Sequence, residues 1–248
     1  MSRPVAPADP FAELRARTPA RIGLGRVGQA LPTAPMLDFQ LAHARARDAV
    51  YAALDVERLR AAIAGPTIAL ASAALDRATY LQDPDLGRRL AVGAPPLEKG
   101  SYDLALVVAD GLSATAVHAW APPVVAEIRQ RLAGWSLAPV VVATQGRVAI
   151  GDPIGEDLGA RSVVVLIGER PGLSANDNLS AYLTWDPQRG RRDHERNCVS
   201  NIRSPGGLSP TEAADRIVWL LREAARLGFT GVALKDRMTA SESLSGPA

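Results

Sequence analysis

Leu104-Ala105-Leu106-Val107-Val108-Ala109 is the stretch that decides the fold, because all six side chains are apolar and no polar residue interrupts them. A strand with one wet face alternates apolar and polar residues, whereas a strand of a parallel sheet is covered on both faces and reads as a continuous apolar run. Two similar runs follow it, Pro139 to Ala143 and Ser162 to Ile167. The sequence therefore predicts three buried strands of one parallel sheet.

Amphipathic stretches lie between and after these strands. In one of them, apolar residues recur at steps of three and four, and this spacing predicts a helix. These residues are Val117, Trp120, Val124, Ile128 and Leu132. Pro122 and Pro123 fall inside it and are expected to kink or restart it. Near the C-terminus, Ser209 and Glu212 form a capping box, so we expect a helix that begins there and ends at Gly228.

The remaining elements are predicted from weaker patterns. Helices are expected near Phe11 to Arg15, over Ala34 to Leu54, over Asp55 to Ala64, and over Asp76 to Leu90 with a break near Pro84. Further strands are expected at Thr67 to Ala71, Ser180 to Trp185 and Val232 to Leu234, and a loose end from Thr239. Strand–helix alternation of this kind predicts an α/β protein with an open, mostly parallel sheet and flanking helices.

The first part of the chain differs in composition from the rest. Six of its first 35 residues are prolines, which prevent long helices and central strands. We therefore expect a proline-rich arm and an N-terminal helical region over residues 1–98, followed by an α/β domain over residues 99–248.

Charge and cysteine usage exclude several classes of protein. The 28 basic and 26 acidic residues nearly balance, so no bulk attraction to nucleic acid or to a membrane surface follows. No stretch approaches the ~20 apolar residues that a membrane span needs, and no apolar segment follows the N-terminus as in a secretory signal. Cys198 is the single cysteine, which excludes an internal disulfide and fits a reducing compartment such as the cytoplasm.

Glycine-bearing loops follow the three best strands: Asp110 to Ser113, Gln145 to Val148, and Gly168 to Gly172. The carboxyl ends of parallel strands share one edge of the sheet, where ligands bind. These loops form either a polar rim for a large ligand or ordinary strand-to-helix turns. Glu169 directly follows a buried strand, so it lies at the pocket rim or pairs with Arg170 or Arg161.

Three short motifs are weak indications of other chemistry. Gly23 to Gly28 matches the dinucleotide fingerprint, yet the surrounding prolines leave no room for the strand and helix that it needs. On a helix, His194 and Cys198 would share a face, but the other ligands of a zinc site are missing, and cysteine is more often a small buried residue than a nucleophile. Ser113 lacks the second glycine of a nucleophile elbow, because Thr115 occupies that position.

Seven segments, taken in order, resemble the small subunit of ethanolamine ammonia-lyase. They span nearly the whole chain, from about Phe11 to Asp236, and the resemblance is patchier between Gly65 and Pro96. The segments are Arg17 to Gly23 (RTPARIG), Phe39 to Val50 (FQLAHARARDAV), Val108 to Ala114 (VADGLSA), Gln145 to Val148 (QGRV), Val164 to Leu173 (VVLIGERPGL), Tyr182 to Trp185 (YLTW) and Glu195 to Cys198 (ERNC).

The resemblance implies a division of labour between two subunits. In this family a Rossmann-like sheet of the small subunit covers adenosylcobalamin, while the large subunit holds the substrate and the reacting groups. The enzyme converts ethanolamine to acetaldehyde and ammonia by a radical mechanism. This chain would then carry no catalytic residues and no metal ligands of its own, and its partner would be the large subunit.

The resemblance also places the family's cobalamin contacts on Val148, Glu169 and Cys198. Arg147, next to Val148, is an additional candidate contact that the family contacts do not include. The corrin rim carries neutral amide groups, for which a carboxylate is a suitable acceptor. The D-x-H-x-x-G motif that supplies an axial histidine in another cobalamin family is absent, so the cofactor is expected to keep its own benzimidazole ligand. A stand-alone corrinoid-binding module remains the alternative, and a nicotinamide oxidoreductase is a third. Packaging in a bacterial microcompartment stays open.

Overall fold

Six strands form one sheet in the computed structural model, which describes residues 9–238. Their order across the sheet is β1-β3-β2-β4-β5-β6. The strands are β1 (Thr67–Ala71), β2 (Ala105–Ala109), β3 (Val140–Thr144), β4 (Ser162–Gly168), β5 (Leu179–Trp185) and β6 (Asn197–Ile202).

Strands β1 to β4 run parallel, and β5 and β6 are antiparallel additions at one edge. In the centre, Val108 lies beside Val142 of β3 and Leu166 of β4. Every residue of β2 and β4 is buried, as their continuous apolar runs predict. The expected mostly parallel α/β sheet is therefore confirmed.

The two faces of the sheet carry separate layers of the hydrophobic core. Alternate residues of β2 point to opposite faces, so Leu106 and Val108 pack with α5 (Ala114–Arg131) and α7 (Pro210–Leu227). Ala105, Val107 and Ala109 pack instead with α6 (Gly151–Leu158). We call this second layer the α6 face. The predicted capping box of α7 is present at Ser209 and Glu212, and the helix ends before Gly228.

The N-terminal helices also match their expected positions. They are α1 (Ala12–Arg17), α2 (Thr33–Tyr51), α3 (Val56–Ala62) and α4 (Arg77–Gln82), followed by a 3-10 turn at Leu86–Arg88. Of the residues in α2, only Ala49 is buried. Strand β1 pairs with β3, so the segment before residue 98 contributes one strand to the sheet. The two-domain division at residue 98 stays a prediction. The end from Thr239 lies outside the described residues.

Helix α5 continues across Pro122 and Pro123, so the expected restart does not occur. Proline removes an amide hydrogen and should weaken the helix there. Ala121 and Val124, on either side of the prolines, are fully buried between the sheet and α7. This packing holds the helix together where its hydrogen bonds are missing.

The prediction that Val232 to Leu234 closes the sheet is wrong. These residues form a turn in which Val232 is exposed and its amide donates to the His194 carbonyl oxygen. The strand at this edge of the sheet is instead β6, which begins at Asn197. The run from Val232 to Leu234 is too short for periodicity to separate a strand from a turn that buries one side chain, Leu234.

Candidate functional site

The loops after β2, β3 and β4 meet at the carboxyl edge of the sheet. The Leu112 amide donates to the Gly168 carbonyl oxygen at 2.8 Å, and the Gly146 amide donates to Asp110 Oδ1 at 3.1 Å. A Cβ on Gly111 would lie 2.3 Å from the Gly168 carbonyl oxygen, so only glycine permits this approach. The three glycine-bearing loops thus form one continuous rim.

Asp110 is a structural centre of this rim. It is buried, and burial raises the pKa of its carboxyl group, while amide donors and Arg77 oppose the shift. Arg77 Nη1 lies 3.9 Å from Asp110 Oδ2 and donates to the Gly111 carbonyl oxygen at 2.7 Å. Asp110 therefore joins the loops to each other and to α4.

Glu169 and Cys198 are brought together by Tyr182. The Tyr182 hydroxyl donates to Glu169 Oε1 at 3.0 Å, and Tyr182 lies opposite Cys198 across β5 and β6. Burial raises the pKa of Tyr182, and Cys198 and Glu169 raise it further. The phenol is therefore a neutral donor over the physiological pH range.

The other groups around Glu169 leave part of its carboxylate available. Its amide donates to the Asn178 carbonyl oxygen at 2.9 Å, which fixes the backbone at the end of β4. Within residues 9–238, Glu169 Oε2 accepts no hydrogen bond and forms no ion pair, so the expected alternative of a pair with Arg170 or Arg161 is absent. Arg161 pairs instead with Asp103 at 3.5 Å.

Cys198 is exposed on the edge strand β6. Loss of hydration around the thiol raises its pKa, the negative charge of Glu169 raises it further, and the hydrogen bond with Tyr182 lowers it. The thiol is consequently protonated near neutral pH, which suits a packing surface better than a nucleophile.

Val148 and Arg147 lie at the rim formed by the loop after β3. Val148 begins a 3-10 turn, Val148–Ile150, that leads into α6, and its side chain packs on the α6 face, as does Tyr182. The Arg147 guanidinium lies over the Tyr80 ring at 4.1 Å and donates to the Tyr80 carbonyl oxygen at 3.1 Å. The Arg147 amide donates to the Gly87 carbonyl oxygen at 2.7 Å.

Tyr80 lies between two guanidinium groups, because Arg77 stacks on its ring at 4.8 Å in addition to Arg147. Its hydroxyl donates to the Gly146 carbonyl oxygen at 3.2 Å. Burial raises the pKa of Tyr80 to about 12, although both arginines lower it. Through Tyr80, helix α4 holds the loop that carries Arg147 and Val148.

The sequence-predicted site residues therefore form two groups. Glu169 and Cys198 both contact Tyr182. Arg147 instead stacks on Tyr80, and Val148 follows Arg147 in the sequence. No hydrogen bond joins the two groups within the described part of the chain. Four strand spacings separate β3 from β6, which is about 19 Å. Glu169 follows β4, which is two strand spacings from β3, so a ligand that contacts Val148, Glu169 and Cys198 together must be large.

Tyr80, Arg77 and Tyr182 were not among the residues predicted for the site. Tyr182 lies inside the segment YLTW that carries the resemblance, and this was the available signal. Tyr80 and Arg77 lie in the region of patchier resemblance, and only the folded chain brings them to the rim.

The alternative motifs have structural explanations. The Ser113 hydroxyl caps α5 by accepting from the Ala116 amide and donates to the Asn176 carbonyl oxygen. His194 lies in a 3-10 turn and Cys198 in β6, so the two do not share a helix face. Across residues 9–238, no group of three or more metal-ligating side chains is arranged to hold an ion. In the same range, no helix has the length and apolarity that crossing a bilayer requires.

The rim fits a large ligand with amide groups at its edge. Glu169 is half-buried and offers Oε2 as an acceptor, Val148 is half-buried, and Cys198 is exposed on β6. The Nε–H of Arg147 is shielded from solvent and has no hydrogen-bond partner among the described residues. An acceptor and packing surfaces suited to a corrin rim are thus present.

Comparisons with known proteins agree on one family. The model of the ethanolamine ammonia-lyase light chain (EutC) matches residues 8–235. A relative from Xanthomonas campestris pv. campestris is 54% identical over 249 residues, which cover 95% of this chain and 91% of the relative. One from Pseudomonas syringae pv. tomato is 52% identical, covering 93% and 84%, and one from Bradyrhizobium diazoefficiens is 53% identical, covering 95% and 94%. All three are named ethanolamine ammonia-lyase small subunit.

Proposed function

Because this chain belongs to the ethanolamine ammonia-lyase light-chain family, we propose that it is the small subunit of an enzyme that converts ethanolamine to acetaldehyde and ammonia. The proposed cofactor is adenosylcobalamin, bound where this chain meets the large subunit. The proposed location is the cytoplasm.

The observation that carries this proposal is the meeting of Glu169 and Cys198 at Tyr182. The resemblance assigns both residues to the cofactor, yet 28 residues lie between them in the sequence. Their contact with one hydroxyl, beside the ligand-binding edge of a parallel sheet, supports a shared binding role.

Each site residue has a proposed part in binding. Glu169 Oε2 accepts from a corrin amide, the backbone of Val148 contacts the rim, and Cys198 supplies a compact packing surface. Arg147 is the fourth proposed contact, because it directly precedes Val148 at the rim. When bound, adenosylcobalamin supplies the radical chemistry, while this chain binds the cofactor and excludes water from it.

The histidines of the chain support the expectation that none of them ligates cobalt. His118 Nε2 accepts from the Asp55 amide at 3.1 Å, so its free lone pair is already used. His43 lies on α2 and His194 on the turn before β6, so neither belongs to the three loops of the rim. We accordingly propose that the cofactor keeps its benzimidazole ligand.

The sheet supports the proposed Rossmann-like character. From β2 the chain passes through α5 to β3 on one side, and then through α6 to β4 on the other side of β2. Such a change of direction opens a crevice at the carboxyl ends of the strands. Asp110 and Gly146 lie at this crevice.

An apolar surface supports the proposed large-subunit partner. Of the fifteen large hydrophobic side chains that are exposed in the described residues, nine lie between residues 9 and 51. They are Phe11, Leu14, Val27, Leu31, Met36, Leu37, Phe39, Leu41 and Tyr51. Concentrated exposure of this kind is typical of a surface that another chain covers.

Ammonia release from ethanolamine with adenosylcobalamin tests the proposal. The assay compares this chain alone, the cognate large subunit alone, and both together. We expect activity only in the mixture. A mixture that forms a complex but releases no ammonia would indicate another substrate. Failure to form any complex would favour the stand-alone corrinoid-binding module.

A further inference from the structure

We propose that Tyr182 is a positioning residue, which fixes the Glu169 carboxylate for the cofactor through its hydroxyl. This inference rests on the proposed function, since it concerns how the same site is held in place. It assigns a role to a residue outside the four proposed cofactor contacts.

The first support is the single hydrogen bond that holds the Glu169 side chain. Glu169 is the first residue after β4, where the strand no longer fixes side-chain direction. The Tyr182 hydroxyl, 3.0 Å from Oε1, is the only hydrogen-bond donor to this carboxylate within residues 9–238. Loss of the hydroxyl would leave the carboxylate free to rotate toward solvent.

The second support is the rigidity of Tyr182. It lies within β5, in register with Val165 of β4 and Cys198 of β6, so both neighbouring strands fix its backbone. Its ring packs on the α6 face beside the core. Only two side-chain torsions separate the fixed backbone from the hydroxyl, so its position is well determined.

The third support is the charge of the donor. An arginine in this place would neutralise Glu169 and compete with a neutral amide of the ligand. A phenol hydroxyl orients one carboxylate oxygen and leaves the negative charge on the other available. Hydrogen bonds to a charged acceptor are stronger than hydrogen bonds between neutral groups. Because the phenol adds no positive charge, Glu169 remains a strong acceptor for an amide of the ligand.

A double-mutant cycle on adenosylcobalamin affinity tests the role. The complex with the large subunit is prepared with Tyr182→Phe, with Glu169→Leu, and with both substitutions. We expect Tyr182→Phe to weaken binding roughly fivefold when Glu169 is present. In the Glu169→Leu background it should weaken binding far less, because the group that it positions is gone.

Two further variants keep the result interpretable. Tyr102→Phe is the matched control, because Tyr102 packs on the same α6 face but lies away from the rim. It pairs with Ala160 just before the amino-terminal ends of β2 and β4. The substitution should leave cofactor affinity unchanged. Glu169→Gln keeps an acceptor for the hydroxyl, so Tyr182→Phe should still weaken binding in that background.

The outcomes separate this inference from the proposed function. Equal affinity of wild type and Tyr182→Phe, or the same fold loss with and without Glu169, would overturn the positioning role alone. A general loss of folding on removal of the hydroxyl would appear as the same loss in every background. A wild-type complex that binds no adenosylcobalamin would overturn the proposed function together with this inference.

Discussion

Arg196 and Asp152 form a buried bidentate ion pair, with Nη1–Oδ1 at 2.6 Å and Nη2–Oδ2 at 2.7 Å. Both side chains are only 2% exposed. Asp152 lies in α6, shortly after Val148, and Arg196 directly precedes β6, which carries Cys198. The pair therefore ties together two of the segments that we propose to bind the cofactor.

Breaking this pair should destabilise the fold strongly. Asp152→Asn removes the bidentate partner of the buried Arg196 charge and leaves only the exposed Asp193 carboxylate, 3.9 Å away, so we expect a loss of about 3–5 kcal/mol in the free energy of unfolding. Urea unfolding measures it. Asp85→Asn is the matched control, since Asp85 pairs with Arg88 on the surface, and it should cost less than about 1 kcal/mol. Equal losses would mean that burial of the pair is unimportant.

Substitution of Gly111 should damage the rim. Gly111 has φ +56°, and an added Cβ would meet the Gly168 carbonyl oxygen. Gly111→Ala should therefore cost more than the ~1–2 kcal/mol of a positive φ alone. Gly190→Ala provides the comparison, because Gly190 has φ +96° and nothing within 4 Å of the added carbon. Thermal unfolding of both variants gives the difference, and a difference of zero would contradict the close approach.

The reactivity of Cys198 should respond in opposite directions to its two neighbours. Cys198 is the only cysteine, so iodoacetamide labelling of this chain, followed by mass spectrometry, reports on it alone. Glu169 raises the pKa of the thiol, so Glu169→Gln should shift the labelling curve to lower pH. The hydrogen bond with Tyr182 lowers the pKa, so Tyr182→Phe should shift the curve to higher pH.

Exposed Glu98, which precedes β2 and lies outside the site, supplies the control for labelling. Glu98→Gln should leave the curve in place. Shifts of the same sign in Glu169→Gln and Tyr182→Phe would show that the three groups do not interact as the structure has them.

Substitution of Glu169 should lower adenosylcobalamin affinity by an amount that depends on whether the new side chain can still accept a hydrogen bond. Glu169→Gln keeps a neutral acceptor and should weaken adenosylcobalamin binding modestly. Glu169→Leu leaves a ligand amide without a partner and should cost about 1–3 kcal/mol. Titration of the reconstituted complex measures both, and equal affinity of wild type and Glu169→Leu would exclude Glu169 as a contact.

The strands that are covered on both faces were predictable because each consists of a continuous run of apolar residues, which is visible in the local sequence. The continuous apolar run from Leu104 to Ala109 predicts a strand in the interior of a sheet, and Ala105–Ala109 of this run form β2. Helix α6 was missed, since Gly151, Pro153 and Gly155 are poor helix formers. A Cβ on Gly151 would lie 2.4 Å from a Val165 methyl group, so this helix is kept by its close approach to β4 rather than by propensity.

The site was predictable only as single residues. Local sequence marks Glu169, which follows a buried strand, and resemblance marks Val148 and Cys198. No periodicity relates Tyr182 to Glu169 or Tyr80 to Arg147, because these contacts cross between elements whose pairing is fixed only in the folded sheet. In particular, the antiparallel direction of β5 brings the Tyr182 hydroxyl toward the end of β4.

The sequence by itself determined the α/β class, the central strands and the family of this protein, since each depends on residue types in a fixed local order. Only the tertiary structure decided that β6 is an edge strand of the sheet, that α4 supports the rim, and that Tyr182 contacts both Glu169 and Cys198. The physical reason is that local order sets which faces must be buried, whereas the choice of partner depends on the packing of segments far apart in the chain.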